Sequence, residues 1–274
     1  MQARQSTNSR PTSEMLQEPQ SETVDALCAT HGPYVAKVTT FHVTDKPTVI
    51  TSRCPTCREE AQAAEDARKQ AEAAAERNRR VSGLFGRAGI PPRFADRTFD
   101  GYRTDGRGQK LALGVCKAYA EAWPEKRAGG ASLVLTGSPG TGKTHLACAV
   151  ASHVVQEHLS AALFVTVSAM LRAIKETYRK DSERTEQDVI NRLCEPDLLI
   201  IDEVGVQVGS EHEKLLMFEV LNERYQSMRP TILISNLSVE ELEEFLGHRV
   251  MDRYRECGAV LAFDWDSYRG RAAA

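Results

Sequence analysis

The run Gly137-Ser138-Pro139-Gly140-Thr141-Gly142-Lys143-Thr144 matches G-x-x-x-x-G-K-[ST], and it sits between an apolar stretch, Ser132-Leu133-Val134-Leu135-Thr136, and a helical pattern beginning His145-Leu146-Ala147-Cys148. A strand that feeds a helix through such a loop constrains the fold more than any other feature of the chain. Backbone N–H groups and the positive end of a helix converge there on a polyphosphate, and glycines let the backbone approach it closely. The implied ligand is a nucleotide held by residues 137–145. Lys143 is expected on the β- and γ-phosphates, and Thr144 is expected to offer its hydroxyl to Mg²⁺.

A carboxylate for the same ion is available downstream. Asp197-Leu198-Leu199-Ile200-Ile201-Asp202-Glu203 reads as a buried parallel strand ending in two acids, a Walker B pattern. In a doubly wound sheet the C-terminal strand ends line the ligand crevice, which assigns Asp202 to the metal and Glu203 to orienting the attacking water.

Three further strand candidates (162–166, 231–235 and 259–263) alternate with helical patterns, so the expectation for 88–274 is an α/β domain with a five-stranded parallel sheet. Gly89-Ile90-Pro91-Pro92 breaks the preceding helix and opens this domain. Residues 58–87 form a charged helical linker: between Arg58 and Arg80, six acids balance six bases, and Ala61 to Ala75 contains no large apolar side chain. Residues 1–23 are rich in Ser, Thr, Gln, Glu and Pro, which predicts disorder.

Between the tail and the linker, residues 24–57 carry Cys28-x2-His31 and Cys54-x2-Cys57. Two short-spaced pairs suit one tetrahedral Zn²⁺ in a small ribbon-like module, with His42 a weaker substitute ligand. So short a segment has little core of its own, and zinc would supply most of its folding free energy. The other four of the seven cysteines (Cys116, Cys148, Cys194 and Cys257) stand singly and read as small reduced apolar residues. The chain has 35 Lys plus Arg against 38 Asp plus Glu, a net charge of −3, so any nucleic-acid contact must come from local patches. No stretch is apolar enough to span a membrane and the start of the chain is polar, which together with the reduced cysteines suggests a soluble cytoplasmic protein.

Taken jointly, the loop 137–144, Ile200 to Gln207, Ile234-Ser235-Asn236, Leu246 to Tyr254 and Phe263-Asp264-Trp265-Asp266-Ser267-Tyr268-Arg269 resemble the DnaC-type helicase loaders. These are AAA+ ATPases of the DnaC/IstB-like group, and the resemblance covers roughly 88–271. It implies that Asn236 acts as sensor 1, that Arg253 reaches the γ-phosphate of a neighbouring subunit, and that Arg269 is the sensor 2 arginine. Arg249 is a second cation near Arg253, and the two are not distinguished. The implied partners are a hexameric DnaB-type replicative helicase, single-stranded DNA and further copies of the chain in an ATP-dependent oligomer.

Phe94 and Phe99 fall in the segment that resembles the family's base-contacting region, with core packing the equal alternative. Arg172, Lys175, Arg179 and Lys180, with Tyr178 among them, recur near helical spacing and suit a surface that tracks single-stranded DNA. The implied activity is ATP-dependent loading of the helicase, with ATP hydrolysis as a switch. Two alternatives share much of the pattern: an IstB-like transposition helper ATPase, and a zinc-dependent DNA-binding scaffold with structural ATP. The front of the chain departs from the loaders' helical helicase-gripping region, so the role of 24–80 in helicase binding is a hypothesis.

Overall fold

A computed structural model describes residues 20–41, 47–206 and 211–268, which form two compact units divided between Glu76 and Arg77. In the first, β1 (Gln20–Cys28), β2 (Gly32–Phe41) and β3 (Thr48–Thr51) form an antiparallel sheet in the order β1-β2-β3. β1 and β2 pair from Gln20↔Thr40 to Cys28↔Gly32, and Gly32 at φ 81° makes the turn between them. Gln20 to Thr23 lie inside β1, so the stretch expected to be disordered is structured at its end, because the β2 ladder supplies partners that composition does not show. Residues 1–19 and His42 lie outside the described residues.

Helix α1 runs Pro55–Arg87, so Cys57 belongs to its first turn and the helix starts ahead of the expected linker. Pro55 stands at its first position, where a missing N–H costs nothing. No residue of α1 is fully buried, and Glu65 pairs with Arg68 and Lys69 one turn on, as a solvated charged helix should.

The second unit is built on five parallel strands: β4 (Leu133–Gly137), β5 (Ala162–Thr166), β6 (Leu198–Val204), β7 (Thr231–Ser235) and β8 (Ala259–Phe263). Their order is β5-β6-β7-β4-β8, which matches the expected sheet and puts β4 at a topological switch point. Strand alternation divides the core in two. Leu133, Leu135, Leu198, Ile200, Ile232 and Ile234 face α2 (Arg107–Glu121), α3 (Trp123–Ala128) and α4 (Lys143–His158), whereas Val134, Leu199, Ile201 and Leu233 face the opposite side. That side is covered by α5 (Val167–Glu176), α6 (Glu186–Cys194), α7 (Glu211–Gln226), α8 (Val239–Leu246) and α9 (His248–Cys257). The result is three layers, helices on sheet on helices.

Phe94 and Phe99 pack against the first of these cores, which favours the packing reading of both. The four single cysteines are free thiols, Cys116 and Cys148 buried and Cys194 and Cys257 half-buried. Arg224 is 0% exposed, and among the described residues no carboxylate pairs with it; its guanidinium donates to the carbonyls of Leu193, Cys194, Pro196 and Pro230 and to Thr231 Oγ1, at 2.6–3.1 Å. It thereby satisfies carbonyls at the end of α6 that the helix leaves without partners.

Candidate nucleotide and metal sites

The loop 137–142 leaves β4 and enters α4 as the sequence predicts, with Gly137, Gly140 and Gly142 all at positive φ. At Gly137 a side chain is excluded outright, since a Cβ would lie 2.4 Å from Phe263 O. Two neighbouring strand ends anchor the loop's start: Gly137 N–H donates to Leu237 O at 3.0 Å, and Ser138 N–H to Phe263 O at 3.1 Å. Lys143 is 4% exposed, and its ammonium donates to the carbonyls of Gly137 (2.5 Å) and Ser138 (2.7 Å). Pro139 is exposed beside them.

Thr144 Oγ1 donates to Asp202 Oδ2 at 2.9 Å, which joins the loop to the end of β6. Burial raises the Asp202 carboxyl above its ordinary value, against the pull of the Thr144 hydroxyl, the Glu203 N–H and Lys143. A hydroxyl beside a half-buried carboxylate is the donor set that Mg²⁺ takes in such loops, and the pair fits that ion.

The register of β6 on β7 runs from Ile201↔Leu233 to Val204↔Ser235, three steps against two, so β6 carries a bulge at Asp202 and Glu203. Glu203 adopts φ 64°, in the left-handed region, at a cost of about 1 kcal/mol, and its side chain is exposed. Its N–H donates to Asp202 Oδ1 at 2.7 Å. The bulge is the device that half-buries the first acid and turns the second outward. Asn236 follows β7 immediately and is exposed, one residue beyond the Val204↔Ser235 pair. Between these segments the buried Ser235 hydroxyl donates to Val204 O at 2.6 Å and accepts from Leu237 N–H at 3.1 Å. A hydrogen-bonded chain thus runs from the bulge through Ser235 and Leu237 to Gly137.

The His145 ring is engaged by the lead-in segment: Nε2–H donates to Thr98 O at 2.9 Å, and the ring meets Tyr102 edge-on. Arg253 is held within its own chain by Asn222 Oδ1 at 2.6 Å, with its guanidinium 4.9 Å from the centre of the Tyr225 ring. Arg249, one turn earlier on α9, is exposed. Arg269 lies outside the described residues.

The expected basic helix is corrected: α5 stops at Glu176, so Tyr178, Arg179 and Lys180 stand in the following turn rather than on one helical face. Lys175 is paired with Glu213 at 2.6 Å and Arg179 with Asp181 at 3.5 Å, while the Tyr178 hydroxyl donates to Glu186. Arg77 likewise bonds Gln156 O and Glu157 at the end of α4. Pairing with acids, of which Glu213 and Glu157 are distant in sequence, removes part of the local charge, which spacing alone cannot reveal.

In the first unit, Cys28, His31, Cys54 and Cys57 bring one ligand atom each within 4.8 Å of one another. His31 Nδ1 lies 3.2 Å from Cys57 Sγ and 3.8 Å from the sulfurs of Cys28 and Cys54, and Cys28 and Cys57 stand 3.5 Å apart. Bond lengths of about 2.3 Å at a tetrahedral Zn²⁺ give ligand separations of about 3.7 Å, so the set fits that ion. Backbone N–H groups of Thr30 and His31, with Cys57, bring the Cys28 thiol down to about 6, whereas the Cys28 neighbour pushes Cys57 up to about 11. Glu60, which sequence reasoning missed, accepts from His31 Nε2–H at 3.1 Å and so aims Nδ1 at the thiols.

A P-loop at the switch point of this sheet, with a paired hydroxyl and carboxylate beside it, defines a P-loop nucleotide-binding protein. The chain belongs to the IstB/DnaC family: the model described as "IstB-like ATP binding protein" matches residues 70–273. It is 39% identical over 203 residues to the replicative helicase loader DnaC of Escherichia coli (strain K12), over 73% of this chain and 81% of that protein. The crystal structure of the DnaC helicase loader superposes with a TM-score of 0.56 at 21% identity, covering 63% of this chain and 99% of that one. AMPPCP-bound DnaA from Aquifex aeolicus shares the fold at a TM-score of 0.53 and 24% identity, over 65% of this chain and 52% of that one. The four metal-ligand candidates precede the span that the family model matches.

Proposed function

We infer that this protein is an ATP-dependent loader of a replicative DNA helicase onto single-stranded DNA. The observation that carries the reading is the joining of an intact phosphate loop to an acid pair on β6, in a chain whose similarity to a replicative helicase loader extends over 203 residues. Residues 137–144 bind the triphosphate, Thr144 and Asp202 hold Mg²⁺, and Glu203 orients water for hydrolysis, with Asn236 nearby. Bound Mg²⁺ would neutralise charge on the phosphate oxygens. ATP binding favours assembly with further copies and with a hexameric DnaB-type helicase. Hydrolysis, aided by Arg253 or Arg249 from a neighbouring copy and read by Arg269, releases the loader. Zn²⁺ on Cys28, His31, Cys54 and Cys57 holds the first unit folded, and that unit contributes the helicase contact. No helix among the described residues is long and apolar enough to cross a membrane. A cytoplasmic site of action fits the free cysteines.

The test is co-purification of the full chain, with ATP, against the replicative helicase of its host, beside a chain beginning at Arg77. Capture by the full chain alone would support both the loader reading and the docking role of the first unit. Capture by neither would transfer the weight to the alternative of an IstB-like transposition helper ATPase.

A further inference from the structure

The crest of the phosphate loop is held from behind by residues that the motif does not contain. The Thr141 carbonyl accepts two hydrogen bonds, from the Tyr102 hydroxyl at 3.2 Å and from Trp265 Nε1–H at 3.0 Å. The preceding carbonyl, of Gly140, accepts the Tyr268 N–H at 2.9 Å. In a trans peptide the carbonyl and the following N–H point in opposite directions. Donors that hold these two carbonyls therefore turn the N–H groups of Thr141 and Gly142 the other way, and these are amides that a P-loop presents to phosphate.

The donors are themselves fixed. The Tyr102 ring lies against Gly142, where a Cβ would come within 2.6 Å of its Cε2. The Trp265 ring lies 4.7 Å from that of Phe263, tilted at 40° to it, and a Cβ on Gly108 would lie 2.8 Å from the Trp265 ring. Burial, chiefly, raises the Tyr102 phenol far above its ordinary value, so its hydroxyl remains a donor at every working pH. Tyr268 adds a further tie, its hydroxyl donating to Arg103 O at 3.2 Å, so the lead-in and the end of the chain close on the loop together.

We propose that Tyr102 and Trp265 are positioning residues of the nucleotide site, which clamp the Thr141–Gly142 peptide so that its N–H is preset toward the polyphosphate. This rests on the reading of 137–144 as an ATP site. The two act on one acceptor from opposite sides in sequence, 39 residues before it and 124 after it. Either donor alone still orients the peptide, and loss of both frees it to rotate.

The experiment is calorimetric titration of Mg-ATP and Mg-ADP into the full chain and into Tyr102→Phe, Trp265→Phe and the double variant, with the melting temperature of each. The single changes are expected to weaken both nucleotides by about 3-fold, and the double change by on the order of 30-fold, more than the product of the singles. ATP and ADP are expected to lose equally, because the crest amides do not distinguish them. Wild-type affinity in the double variant, or a lowered melting temperature with unchanged affinity, would overturn the proposal and leave only a packing role. Absence of ATP binding by the wild type would instead remove the underlying reading.

Discussion

Glu60 accepts a hydrogen bond from His31 Nε2–H at 3.1 Å, and this one contact leaves Nδ1 facing three thiols. Replacing Glu60 with Gln is expected to weaken zinc binding by about 10-fold without abolishing it. Cys57→Ser is expected to abolish it and to unfold the first unit. A chelator assay for zinc content, with circular dichroism, checks both. Since Arg77 onwards has its own core, ATP affinity should survive in either variant.

Glu203 stands exposed on a bulge, apart from the groups that grip the loop. Glu203→Gln is therefore expected to bind ATP as tightly as the wild type while turnover falls by about 10²-fold or more. Phosphate release measured beside equilibrium binding separates the two effects, and persistent turnover would remove Glu203 from the water-orienting role.

Arg253 is tied to Asn222 in its own chain, whereas Arg249 is exposed on the same helix. Substitution of either by Ala is expected to leave the isolated subunit's ATP affinity within about 2-fold, because neither touches its own loop. The one that serves a neighbour will lose hydrolysis stimulated by DNA and helicase. Weak binding by an isolated Arg253→Ala subunit would place that arginine in its own pocket.

Arg224 satisfies four carbonyls and a hydroxyl from a fully buried position. Arg224→Leu is expected to destabilise the ATP-binding unit by about 3 kcal/mol, since buried acceptors are left without donors. Denaturant titration measures this, and the remaining folded fraction should bind ATP normally.

Asp188 closes the capping box of α6 by accepting from the backbone N–H and the hydroxyl of Thr185, at 2.9 and 2.8 Å, and these bonds lower its pKa below the ordinary 3.8. A lowered folded-state value means that the stabilisation is present above pH 3.8 and is lost as pH falls through the lower folded value. Asp188→Asn should flatten that part of the acid-unfolding curve, read as melting temperature against pH.

Much of the architecture was legible because it is written in short spacings. Short continuous apolar runs between helical patterns located the five strands, glycines at fixed intervals located the loop, and paired x2 spacings located the four metal-ligand candidates. Each of these signals reflects a few consecutive backbone angles. The basic stripe at 172–180 misled for the complementary reason: periodicity describes an ideal helix, while Glu213, 38 residues beyond Lys175, and Glu186, past the end of α5, decide which of its charges and polar groups are engaged.

The chain by itself determined the phosphate loop, the order of strands and helices, and the residue types available for Mg²⁺ and Zn²⁺, because strand alternation, helix periodicity and turn geometry are local properties of the backbone. Only the tertiary structure decided that Glu203 turns outward on a bulge, that Glu60 aims His31, and that Tyr102 and Trp265 meet on the Thr141 carbonyl. Those relationships join segments tens to more than a hundred residues apart: His31 meets Glu60 only where the turn after β1 comes against the start of α1, and the others exist only once burial of the two apolar faces of the five-stranded sheet has brought their segments to the same strand ends.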